Sequence, residues 1–153
     1  MAFDPVFVEG VKLVGTASIG FFVGRLQTQY LDRVSRTKEL QNKLVDCVRE
    51  VCADAIAYHT ETLTAQIRVT KSCMLKMRLE RIASDLIQLR SSTKERAPKK
   101  FLTEYVALFD SVTKYPFEPQ EYVPAHDQSR LAAITDTAEV LVTLLRTVSP
   151  PLL

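Results

Sequence analysis

The 153-residue chain is 46% apolar and 25% charged, enough to bury one core and too short for two comfortable domains, and its composition excludes collagen-like, low-complexity and wholly disordered classes. Its formal charge of +2 is too small to mark a general phosphate binder, and only four glycines, without an Asn-Gly or Asp-Gly turn, argue against a sheet-rich fold. Cys47, Cys52 and Cys73 are odd in number, which reads as reduced thiols in a cytosolic domain; with no C-x-x-C pair, and only His59 and His126 to join them, a zinc site is not indicated.

All four glycines, Gly10, Gly15, Gly20 and Gly24, stand in the first twenty-four residues. The uncharged run Leu13 to Gly24 is twelve residues, about 18 Å of helix at about 1.5 Å per residue, against a bilayer core of about 30 Å. Extending it to Val6–Leu26 gives twenty-one residues and about 31 Å but takes in Glu9, Lys12 and Arg25. Glu9 and Lys12 are three apart and can pair, with the lysine snorkelling. Thr16, Gly20 and Gly24 fall four apart, a small-residue face on which membrane helices associate, and Phe21 and Phe22 supply its bulk. Two readings stay open: a core helix of a soluble bundle, or a helix that meets the membrane conditionally. In the second, Arg25, Arg33, Arg36 and Lys38 after the run keep the body in the cytoplasm. The flank before the run lacks the basic region of a secretory signal peptide.

From Thr37 to Tyr58, Leu40, Leu44, Val48, Val51, Ala55 and Tyr58 recur at the spacing of an amphipathic helix, and the period runs back through Val34 and Leu31. A second helix over Thr62 to Leu89 carries Leu75, Leu79, Ile82, Leu86 and Leu89 on one stripe. A short turn near His59 to Glu61 makes the two an antiparallel hairpin. The polar connection 91–100, "SSTKERAPKK", contains Pro98 and ends the second helix. A third helix fits Lys99 to Thr113, with Phe101, Tyr105, Leu108, Phe109 and Val112 facing inward. Pro116, Pro119 and Pro124 predict an irregular loop over 115–125. The last helix starts near Asp127, a candidate cap, and runs to Val148, with Leu131, Ile134, Ala138, Leu141 and Leu145 towards the hairpin. The expected architecture is all-α: an N-terminal membrane-type helix over 1–30, then a four-helix, bundle-like cytoplasmic domain over 31–153.

Arg68, Lys71, Arg78 and Arg81 are spaced three, seven and three along the second helix. With Lys94, Arg96, Lys99 and Lys100 they form either a solvated face or a contact surface for a partner, nucleic-acid phosphates or anionic lipid. No aromatic residues interleave with them to stack bases. His59 with Glu61 is the one pairing to weigh for catalysis, but no nucleophile or oxyanion motif accompanies it, and a turn histidine is the plain alternative. Neither a phosphate-binding glycine loop nor H-E-x-x-H is present, so the residues point to no enzyme and no cofactor.

Glu50, Ala57, Tyr58 and His59, the basic leucine-rich stretch "RLERIASDLIQL" from Arg78 to Leu89, the turn "TKYPFE" with Thr113, Phe117 and Glu118, and Arg130, Ile134, Ala138, Leu141 and Arg146 carry a resemblance. Over Glu50 to Arg146 the chain resembles a loosely defined group of small bacterial helical proteins that includes membrane-acting effectors of retron anti-phage systems. It departs from them at His59, where the group has Trp, and at Lys114, Tyr115 and Pro116, which replace Gly-Gly-Asp and so change the turn's backbone. The resemblance implies a non-enzymatic toxin at the bacterial inner membrane, cytoplasmic while a partner complex holds it. It also implies a reverse transcriptase with its RNA–DNA product as that partner. The small-residue face adds membrane lipid and a homo-oligomer through the N-terminal helix. The alternative is a membrane-associated adaptor or assembly subunit without toxicity.

Overall fold

The computed structural model describes the backbone of residues 5–93, 98–113 and 128–148, with side chains over 21–93, 100–113 and 128–148. All its regular structure is helical: α1 (Pro5–Thr60), α2 (Ala65–Ser92), α3 (Pro98–Thr113) and α4 (Gln128–Thr147). Proline opens both α1 and α3, where its missing N–H is not needed and its fixed φ suits the first turn. Thr64 caps α2 in extended backbone, its Oγ1 accepting from the Ile67 N–H at 3.5 Å. The expected N-terminal helix and first body helix are one element: no break falls near residue 30, because the three-and-four period runs through Tyr30, Val34 and Thr37 without a proline or glycine to stop it. The 115–125 loop, the candidate cap Asp127, and Lys94, Arg96 and the Lys99 side chain lie outside the described residues.

The chain divides into two compact units, Met1–Arg36 and Thr37–Leu152. In the second, one stripe from each helix makes the core: Leu44, Val48, Val51, Ala55 and Tyr58 of α1, Leu75, Leu79, Ile82, Leu86 and Leu89 of α2. Phe101, Leu108 and Val112 of α3 and Ile134, Ala138, Leu141 and Leu145 of α4 complete it. Each fully buried leucine adds about 1.5–3 kcal/mol of burial free energy over an exposed one, which explains why these stripes and not the polar faces meet. Leu40, Tyr105 and Phe109 are half-buried at its edge, and Leu131, expected on the inward face of α4, is half-buried.

Directional bonds set the helices' register inside this unit. Tyr105 Oη donates to the Leu79 carbonyl at 3.0 Å, tying α3 to α2, and Ser111 and Thr137 hydroxyls meet at 3.1 Å between α3 and α4. Gln41 Nε2 of α1 donates to the carbonyls of Leu145 and Val148 where α4 ends, joining the Val148 N–H, which donates to the same Leu145 carbonyl at 3.4 Å.

Candidate functional site

In the first unit, several large apolar side chains of α1 are exposed. Phe21, Phe22 and Leu26 are 67%, 64% and 63% exposed, and Val23 and Leu31 are also more than half exposed. The Phe21 and Phe22 rings meet edge to face at 6.3 Å. A Cβ added at Gly24 would meet no heavy atom within 4 Å, so this position is open surface. Thr28 hydrogen-bonds back to the Gly24 carbonyl at 2.9 Å, a local bond that hides its hydroxyl from the medium. The side chains of Thr16 and Gly20, the other members of the small-residue face, lie outside the described residues. Among the described residues, no helix is long and apolar enough to cross a membrane.

The basic stripe of α2 does not form one face. Thirteen residues at about 100° each drift by about 140° around a helix, and Arg68 and Arg81 are the two ends of that drift. Arg68 is 5% exposed, its guanidinium 5.6 Å from the centre of the Tyr58 ring in a cation–π contact, which corrects its expected place on an accessible contact surface. Lys71 is 2.6 Å from Glu61, Arg78 pairs with Asp54 and lies 3.8 Å from Glu50, and only Arg81 stands exposed without such a carboxylate among the described residues. Lys43 and Asp85, 3.4 Å apart, extend the ladder in the opposite sense of charge. The acidic members on α1, Glu50 and Asp54, are four apart and therefore on one helix face, which is the sequence signal for this pairing.

His59 is a core residue, not a surface or turn histidine. Its Nε2 lies 3.2 Å from the Val112 carbonyl, and it is 5% exposed beneath an edge-to-face contact with Tyr58 at 5.1 Å. Burial holds its pKa down at about 4, helped by the charge of Arg130, so the ring is neutral at pH 7. Arg130 Nη2 also donates to the Val112 carbonyl, at 3.3 Å, so α1 and α4 both bind the last turn of α3. Glu61 points to Lys71 instead, which separates the two groups weighed for acid–base chemistry. Burial likewise pushes the Tyr58 and Cys52 hydrogens to higher pKa, the Cys52 thiol keeping its proton in spite of a hydrogen bond from Thr135. No group of three or more His, Cys, Asp or Glu side chains suited to a metal occurs among the described residues.

No family model matches the chain, and comparison with curated proteins and with solved structures finds no significant similarity.

Proposed function

We propose that the chain is a non-enzymatic, membrane-acting effector of a bacterial anti-phage defence system, held inactive by a partner complex and acting on the inner membrane when released. The observation that carries this reading is the uncovered run of Phe21, Phe22, Val23, Leu26 and Leu31 on one helix. Large apolar side chains exposed this closely along one helix call for lipid or another chain to cover them. The marginal length of Val6–Leu26, with Glu9 and Lys12 inside it, suits a helix that enters a bilayer conditionally better than a permanent anchor. On this reading Thr16, Gly20 and Gly24 bring copies together in the membrane, and the resemblance supplies a reverse transcriptase with its RNA–DNA product as the restraining complex.

Induced expression of the chain alone, followed with a membrane-potential dye, tests the proposal. Depolarisation and arrested growth are expected, both lost in Gly20→Leu and in Phe22→Asp. Unchanged polarisation and growth in the parent chain would overturn it.

The second reading, an adaptor without toxicity, draws on the finding that no helix among the described residues is long and apolar enough to cross a membrane. The same five side chains then cover a groove on a partner protein. Cell fractionation separates the two: an adaptor partitions with its partner, whereas a released effector partitions with the membrane.

A further inference from the structure

The two flanks of α1 within the second unit have been finished differently. Towards α2, cations and carboxylates are matched: Lys71 with Glu61, Arg78 with Asp54 and Glu50. Towards α4 lies an open trough of about 450 Å³. Its apolar floor is Ala53 and Ile56 of α1 with Ala138 and Val142 of α4. Arg49 and Arg146 stand exposed on its rim, and neither forms an ion pair among the described residues. Glu139 is the one acid among the lining residues, which leaves the lining with a net positive charge.

The shape and chemistry narrow the ligand. The floor residues recur at three and four along two packed helices, so the trough runs lengthwise and suits an elongated apolar stripe. Ala53 and Ala138 are small enough to let a third helix approach closely. Two guanidiniums on the rim select carboxylates, to which they offer planar, bidentate donors.

We propose that this trough docks an amphipathic helix of a partner protein, one that lays its apolar stripe on Ala53, Ile56, Ala138 and Val142 and presents carboxylates to Arg49 and Arg146. The partner is the restraining one of the effector reading, so the inference rests on that reading for what docking accomplishes, whereas its chemistry comes from the trough alone.

The test places p-benzoylphenylalanine at Thr143, an exposed residue lining the trough, in the full-length protein expressed in cells of the bacterium that encodes it. After irradiation, the cross-linked peptide is sequenced by mass spectrometry. A single segment with apolar residues at three-and-four spacing and at least two acids on its flanks is expected. Arg49→Glu combined with Arg146→Glu should lower the cross-link yield at least tenfold, whereas Arg81→Glu, on the other flank, should change it less than twofold. Both arginine changes are on the surface, and an unaltered thermal melt by circular dichroism verifies that the variant folds. A cross-link to a second copy of the chain, to phospholipid or to a basic segment, or no cross-link at all, would overturn the proposal, as would a yield indifferent to the two charge reversals. The membrane-potential assay runs beside it. An acidic helix captured from a chain that leaves the membrane polarised upholds the trough and sinks the effector reading, and depolarisation without capture does the reverse.

Discussion

Phe22 and Leu44 belong to the same helix, and both are large, apolar and well suited to a core, yet one is 64% exposed and the other fully buried. Residues 37–60 of α1 find three neighbours: α2 with its leucine-rich stripe, α3 with Phe101, Leu108 and Val112, and α4 with Ile134, Leu141 and Leu145. Residues 21–31 are similarly rich in apolar side chains, and Phe21, Phe22, Val23, Leu26 and Leu31 stay exposed. Helix formation is decided locally, by the absence of breakers and by i→i−4 bonding, whereas burial is decided by what else the chain brings to that face. Residues 21–31 of α1 are thus helical with large apolar side chains left exposed, and that exposure motivates the functional reading.

The contrast predicts unequal responses to equal damage. Leu79→Ala, at a position with no exposure, should cost about 2–5 kcal/mol in urea unfolding, because it opens a cavity where α2 meets the other helices. Phe22→Ser should instead leave that unfolding midpoint unchanged and alter only membrane or partner binding. A large loss of stability in the second case would mean that the run at 21–31 is covered within the chain, which would erase the distinction.

A smaller effect follows from His59. Its folded pKa of about 4 lies below the ordinary 6.5, so the unfolded state binds more protons between those values. Stability from this group is fully present above pH 6.5 and is lost as pH falls towards 4, with a slope of at most about 1.4 kcal/mol per pH unit. The difference between parent and His59→Gln, measured by denaturant titration at pH 4 to 7, should show that slope; parallel pH profiles would contradict the buried, neutral imidazole.

The smallest effect belongs to the ion ladder. Arg78 and Asp54 have side chains 40% and 50% exposed, and a double-mutant cycle with Arg78→Ala and Asp54→Ala should return a coupling of about 0–1 kcal/mol that shrinks with salt. A larger, salt-insensitive coupling would show that the α1–α2 flank is drier than its exposure indicates.

Helices and their inward stripes were legible because apolar spacing reports them directly: every residue expected on the α2 stripe, Leu75 through Leu89, is in the core, whereas Pro98, expected only to stop the second helix, is the first residue of α3. The candidate contact surface was less legible. Three-residue steps look like one face in a linear sequence, but the accumulated rotation carries Arg68 inward, and nothing in the sequence announces that the Tyr58 ring is there to receive it. Glu50, Asp54 and Glu61 answer Lys71 and Arg78 only once α1 and α2 are side by side, a pairing across helices that no local spacing encodes. The trough beside α4 was equally out of reach, since it joins residues 83 positions apart, as Cys52 and Thr135 illustrate.

The bond between His59 and Val112 also fixes where a proton resides. A carbonyl oxygen only accepts, so Nε2 must be the nitrogen that carries hydrogen, and with the ring neutral Nδ1 carries none. The imidazole is therefore committed to a single tautomer, a state that nitrogen chemical shifts would register directly. A ring so committed, with its donor spent on the backbone of α3, serves as a fastening and has no proton to relay.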